Sequence, residues 1–188
     1  MLTVLETATN NTSGIVGAVR PEHLGLPTPC ARFDVRELLN HMVGGQQLIV
    51  QASNAPVQQP PNGVFPDHIG DDPAGAFERS SKEVLELFAD PATRAATFRL
   101  GIDVPGDQAL GIAVMEVVVH GWDLATAIGV PSGIDSALAE QLLVATQGFV
   151  TDQFRSPEGS PFGPPLDAGD DAPAELRLMA FLGRRRLA

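Results

Sequence analysis

The longest apolar stretch of the chain, residues 111–129, carries three ionisable side chains. Its sequence is GIAVMEVVVHGWDLATAIG, and the three side chains belong to Glu116, His120 and Asp123. Residues three and four apart lie on one face of an α-helix, so these side chains would form a polar stripe on an apolar helix. Because an isolated buried charge loses its hydration, the stripe requires partners, a metal ion or shifted pKa values.

The E-x-x-x-H spacing of Glu116 and His120 leaves two interpretations open. A carboxylate and an imidazole one helical turn apart can share a divalent ion such as zinc, nickel or iron. The same spacing also occurs in many helices as a hydrogen-bonded core pair without metal. The pattern therefore identifies a candidate metal site and does not establish one.

Length and charge limit the class of protein. With 188 residues the chain is long enough for one well-cored domain and short for two, so a single domain over residues 1–188 is expected. The formal net charge of −11, with 44% hydrophobic residues, indicates an acidic globular protein. A nucleic-acid surface would need clustered lysine and arginine, so no nucleic-acid partner is expected.

The single cysteine, Cys30, excludes an internal disulfide and a thiolate cluster. The N-terminal residues lack the basic start and apolar centre of a signal peptide. The three ionisable residues in the apolar run argue against a membrane span. These features predict a cytoplasmic protein with no membrane segment.

The periodicity of apolar residues predicts an all-α fold. The second helix has the clearest start, since Asp34 and Glu37 form a capping box. Proline- and glycine-rich segments at 53–74 and 155–173 predict two long connections, and residues 97–107 favour a short hairpin or an extended connector equally. The expected architecture is a four-helix bundle with a long crossover connection and a short C-terminal helix. The predicted helices cover residues 2–19, 34–52, 75–88, 108–128, 135–154 and 174–184.

Two further histidines have open interpretations. His41 lies next to the apolar face of the second predicted helix, either as a core-edge histidine that donates to a carbonyl or as a third ligand beside Glu116 and His120. His68 lies in the connection at 53–74, where it either faces a pocket or is solvated. For His41 to reach the other two ligands, its helix must face the helix that carries them.

Three segments together carry a resemblance to a known family. They are TPCARFDVRELLNHMVGG at 28–45, MEVVVHGWDLATAIG at 115–129 and LRLMAFLGR at 176–184. In this order they resemble the DinB-like superfamily, specifically the actinobacterial proteins similar to the N-terminal domain of mycothiol-dependent maleylpyruvate isomerase. The family fold is a four-helix bundle with a long crossover, which agrees with the helices predicted above.

The resemblance implies a divalent metal, zinc or nickel, held by a histidine of the second helix and by an E-x-x-x-H on a later helix. The matching residues are His41, Glu116 and His120. Such a site would lower the pKa of a bound thiol, so mycothiol is the implied cofactor and a small electrophile the implied substrate. No catalytic residue is assigned beyond this metal site.

The other residues of the matched motifs receive supporting roles. We assign Trp122 to packing, and Asp123 to orienting His120 or to capping the helix. Cys30 matches a family T-P-C, and we assign it to packing near a helix start.

The isomerase carries a second, C-terminal domain that this chain of 188 residues lacks, so isomerase activity is not expected. The leading hypothesis is a metal-dependent thiol S-transferase. The alternatives are a non-catalytic protein that binds a metal or small ligand, and a metal-free bundle with structural histidines. A homodimer formed through an exposed helix face is kept as a hypothesis.

Overall fold

A computed structural model of the chain describes residues 1–155, 162–169 and 171–185. Within these residues the fold is mostly helical, which confirms the predicted all-α class. The only strands among them form one short antiparallel pair, with Phe98 opposite Val104. The elements are α1 (Leu2–Gly17), α2 (Val35–Ala52), α3 (Pro73–Ala89), α4 (Pro91–Ala95), β1 (Thr97–Arg99), β2 (Asp103–Pro105), α5 (Gly106–Ile128), α6 (Ser136–Phe149) and α7 (Ala174–Phe181).

The chain divides into two compact units, Met1–Ser132 and Gly133–Ala188. In the first unit, four long helices form a ring in which α1 and α2 each pack against both α3 and α5. The helices α1 and α2 therefore lie diagonally opposite each other. Since they are consecutive in the chain, residues 18–34 cross the bundle between them. This arrangement places α2 against α5, as the candidate site requires.

Local signals in the sequence set several helix ends. The capping box at the start of α2 is formed, because Asp34 accepts from the amide of Glu37 at 2.8 Å and Glu37 accepts from the amide of Asp34 at 3.0 Å. Gly129 ends α5 in the left-handed conformation, with φ of 72°. Both features agree with the sequence prediction.

The helix α5 is the core helix of the first unit. By length and composition it is apolar enough to cross a membrane, but 67% of its most apolar window is buried inside the protein. Core helices of soluble proteins commonly meet the same criterion, so the apolar character of α5 is explained by packing. Its buried residues include Trp122, as the packing assignment expects.

Three local details differ from the sequence predictions or resolve them. Residues 97–105 form the hairpin rather than an extended connector, and a short helix, α4, precedes it. The helix predicted over 135–154 ends at Phe149, followed by a 3₁₀ turn at Asp152–Phe154. Gly148, Val150 and Thr151 are all poor helix formers, which accounts for this early end.

The second unit contains α6 and α7, which pack against each other. An ion pair between Arg177 of α7 and Glu140 of α6 joins the two helices. The guanidinium of Arg155 donates to the carbonyls of Gly163 at 2.7 Å and of Phe181 at 2.8 Å. The long connection predicted over 155–173 is therefore tied to α7 by its first residue, although residues 156–161 and 170 lie outside the described part of the chain.

Candidate metal centre

Two helices of the first unit bring the three predicted ligands together. His41 comes from α2, and Glu116 and His120 come from adjacent turns of α5. One ligand atom from each of the three side chains lies within 4.8 Å of the others. The predicted requirement that α2 face α5 is therefore met.

The carboxylate of Glu116 lies at the centre of this group. Its Oε2 is 3.3 Å from Nε2 of His41 and 3.3 Å from Nε2 of His120. Ligand atoms around a tetrahedral zinc ion, each about 2.0–2.1 Å from the metal, are about 3.3 Å apart. The separations between these side chains thus suit a shared divalent ion as well as a pair of hydrogen bonds.

Hydrogen bonds at Nδ1 fix the orientation of both imidazoles. Nδ1 of His41 is 2.9 Å from the carbonyl oxygen of Gly63, which can only accept, so this nitrogen carries a proton. Nδ1 of His120 is 2.9 Å from Oδ2 of Asp123 and donates to that carboxylate. In the neutral form of each ring, Nε2 is then the unprotonated nitrogen and is available to a metal.

The charges of the site shift two pKa values in opposite directions. Burial favours the neutral form of Glu116, but hydrogen bonds and charge from His120, and then from His41, outweigh it and hold the pKa of Glu116 well below its ordinary value. Burial likewise works against a charged His120, yet Asp123 and Glu116 raise its pKa to about 10. Without a metal, His120 is therefore a buried imidazolium between two carboxylates.

The site is open on one side and closed on the other. The side chain of Glu116 keeps 42% of its surface exposed, whereas that of Asp123 is fully buried at 0%. His41 is intermediate, at 15%. A small molecule can thus approach from the side of Glu116 and His41.

The long connection at residues 53–72 forms a wall of the site through contacts with His41. The ring of Phe65 lies edge-on to His41 at 5.8 Å between centroids, and Phe33, which precedes α2, stacks on His41 at 4.9 Å. Gly63 supplies the carbonyl for Nδ1 with a φ of 68°. From the sequence, only His68 of this connection was a candidate to face a pocket, and the contacts of Gly63 and Phe65 with His41 were not predicted.

Two residues of α2, neither of them identified from the sequence, hold the connection at 53–72 against the site. The side-chain oxygen of Asn40 accepts from the amides of His68 at 2.6 Å and Ile69 at 3.2 Å. A Cβ atom on Gly44 would come within 2.3 Å of the ring of Phe65, so only glycine leaves room for that ring. The sequence signals that could have identified these two residues are an asparagine directly before His41 and two adjacent glycines in the middle of a predicted helix.

His68 and Cys30, the remaining candidate residues, lie outside the group formed by His41, Glu116 and His120. His68 is half-buried with its ring 5.9 Å from that of Phe65, and it belongs to neither group of converging ligand atoms in the described part of the chain. Cys30 is buried in the main hydrophobic cluster, in agreement with the packing assignment. Its sulfur also lies close to His120 and Asp123, and no local pattern predicts this proximity.

Comparisons with known proteins identify the family of the chain. The family model described as the mycothiol maleylpyruvate isomerase N-terminal domain matches residues 5–125, which include all three predicted ligands. Two relatives, both named only as uncharacterized proteins of Mycobacterium tuberculosis strains, are 34% identical over 173 residues, covering 92% of this chain and 91% of each relative. No solved structure matches. The chain belongs to the family of the mycothiol maleylpyruvate isomerase N-terminal domain, a DinB-like family with mycobacterial members.

Proposed function

We propose that this protein binds a divalent metal through His41, Glu116 and His120 and uses it to transfer a small thiol, of the mycothiol type, to an electrophile. The observation that carries the proposal is the common direction of the two imidazoles. Both have Nδ1 occupied by a hydrogen-bond acceptor, and both present Nε2 to the same carboxylate oxygen. This arrangement supplies two nitrogens and one oxygen to a single point, which is the donor set that zinc and nickel accept.

The charge of the donor set supports thiol chemistry. Two neutral imidazoles and one carboxylate leave one positive charge on a divalent ion, so a bound ion would lower the pKa of a thiol and supply a thiolate at neutral pH. The protein residues hold the ligands in place. Asp123 and the carbonyl of Gly63 keep both rings in the required tautomer.

The exposed side of the site determines which molecules can reach it. Because Glu116 is partly exposed, a thiol and an electrophile can approach from that side. In the transfer, the thiol proton passes to solvent and the sulfur forms a bond to the electrophilic carbon. The leaving group departs with the electron pair of its broken bond. The rings of Phe33 and Phe65, which both contact the ring of His41, limit how far water reaches around that histidine.

The first test is elemental analysis of the purified, untagged protein beside its His41→Ala variant, with Cys30→Ser in both so that the single thiol of the sequence cannot act as a competing ligand. We expect about one zinc or nickel ion per chain where His41 is present and a large loss in the variant, because one of three protein ligands is removed. His68→Ala is a matched control, since it removes a nearby half-buried histidine that is outside the ligand group. Equal metal content with and without the His41→Ala change would refute the proposed site.

The second test addresses transfer itself. The metal-loaded protein is incubated with mycothiol and a panel of small electrophiles, and loss of free thiol is followed against the His41→Ala variant. Turnover that depends on His41 supports the S-transferase. Full metal occupancy without turnover across the panel would instead favour the alternative function, a non-catalytic protein that binds a metal or small ligand.

A further inference from the structure

A second group of converging metal-ligand atoms also includes His120. Single ligand atoms from Cys30, His120 and Asp123 lie within 4.8 Å of one another, and the three residues are only 5%, 5% and 0% exposed. We propose that these residues form a second metal site, which takes a thiophilic divalent cation such as zinc or cadmium. Because Asp123 contacts Nδ1 of His120, we assign Nδ1 as the nitrogen of this site.

The three ligands come from two rigid parts of the fold. His120 and Asp123 are three residues apart on α5 and share one face. Cys30 lies in the turn before α2, where the hydroxyl of Thr28 donates to the carbonyls of Cys30 at 3.0 Å and Phe33 at 2.8 Å. The amide of Phe33 also donates to the carbonyl of Cys30 at 2.9 Å. These bonds fix the backbone conformation of the turn that carries Cys30.

The charge balance suits a buried site. One thiolate, one carboxylate and one neutral imidazole cancel the two positive charges of a divalent ion. A neutral cluster avoids most of the desolvation cost that a net charge would carry at this depth. The thiolate ligand favours zinc or cadmium over magnesium or calcium, which prefer oxygen ligands.

The two sites share one imidazole and therefore compete. A neutral imidazole has one unprotonated nitrogen, so metal binding at Nδ1 leaves the proton on Nε2 and removes His120 from the group with Glu116 and His41. A thiophilic ion in the buried site would thus displace an ion from the exposed site. The proposal does not depend on the S-transferase function, since its ligands require neither His41 nor Glu116.

Cobalt(II) absorption provides a direct test. Sulfur bonded to cobalt gives a charge-transfer band in the near ultraviolet, and Cys30 is the only cysteine in the sequence, so any such band from the untagged chain reports this residue. We expect the band when metal-free His41→Ala protein is titrated with cobalt, because this variant disables the exposed site and leaves the buried one intact. Cys30→Ser should lack the band.

A second variant tests the other ligands. Asp123→Asn in the His41→Ala background should weaken cobalt binding, followed by the same band, at least about tenfold. Circular dichroism of each variant shows that it remains folded. Absence of the band in folded His41→Ala protein, or unchanged binding in the Asp123→Asn variant, would overturn the proposal.

The same titrations separate the two proposals. Metal binding that is lost in His41→Ala, with no sulfur band in any folded variant, would leave the exposed site standing and remove the buried one. A sulfur band of equal strength in wild type and His41→Ala, with unchanged stoichiometry, would support the buried site and remove the exposed one.

Discussion

The two sides of the His120 ring differ in burial, charge and access. On the Nε2 side lie Glu116, with 42% of its side chain exposed, and His41, which contacts the wall of the long connection. At Nδ1 lies Asp123, with Cys30 close to both residues, and Asp123 and Cys30 are both inside the core. The side of Glu116 is thus partly exposed to solvent, whereas Asp123 and Cys30 are buried.

This difference shows how one imidazole can serve two purposes. A buried acceptor at Nδ1 orients the ring and directs Nε2 toward Glu116, whose side chain is the partly exposed partner of the pair. Substitutions can remove the shared ring of His120 or alter one side of it at a time.

The largest effect is expected for His120→Ala, because both sides depend on this residue. Metal affinity should fall more than about 100-fold, since a ligand itself is lost rather than its support. Asp123 would also lose its charged partner in the core, which should lower the free energy of unfolding by about 3–5 kcal/mol. Elemental analysis and urea denaturation with chelator measure the two effects. Wild-type metal content in a folded variant would contradict the central role of the ring.

The pH dependence of the metal-free protein should reveal the buried imidazolium. The pKa of His120 is raised to about 10, so its stabilisation is complete below the unfolded value of about 6.5 and is lost as pH rises toward 10. The free energy of unfolding should fall by about 2–4 kcal/mol between pH 6.5 and pH 10. The sequence has no tyrosine, which keeps other titrations in this range few.

Urea denaturation in chelator at several pH values measures this slope, and His120→Ala is its control. The variant should lose most of the pH dependence. If the free energy of unfolding fell equally steeply with pH in the variant, the pH dependence would arise from another group in the molecule.

Asp123→Asn alters the buried side while keeping its shape. The amide cannot accept with a full negative charge, so Nδ1 of His120 is held less firmly and the ring is a weaker base. Zinc affinity at the exposed site should fall about 10–100-fold, measured by competition with a chelator. Because the buried carboxylate is replaced by a neutral group of the same size, an unchanged affinity would show that the two sides of the ring act independently.

The smallest effect is expected for Gly63→Ala, which alters only the exposed side. A Cβ atom there would lie 3.2 Å from the ring of His41, and the φ of 68° disfavours any residue but glycine. We expect a loss of about 1 kcal/mol in stability together with a several-fold weaker metal affinity. Urea denaturation and chelator competition measure the two.

Gly70→Ala is a matched control for this change. Gly70 also has a positive φ, 51°, but a Cβ atom there would meet nothing within 4 Å. It should lower stability by a similar amount and leave metal affinity unchanged. Equal affinities in the two variants would show that the contact with His41 does not matter.

Local patterns in the sequence were sufficient for the helices and for part of the site. The capping box of Asp34 and Glu37 and the terminal Gly129 act within a few residues, so they could be identified without tertiary information. The placement of Glu116 and His120 on one face follows from helical periodicity alone. For His41 two interpretations stayed open until the resemblance to the family favoured a ligand, because nothing local indicates which helix α2 will face.

Contacts across the fold decided the remaining features. Asn40, Gly44 and Gly63 support the site through residues of the long connection, whose path has no periodic signal. Cys30 is ninety positions before His120 in the chain, and only packing of its turn against α5 brings the two together. Local geometry is enough to predict which side chains one helix presents together, so Glu116 and His120 could be paired before any fold was known. The tertiary structure decided which side of His120 is open and which is buried, because burial depends on segments distant in the chain.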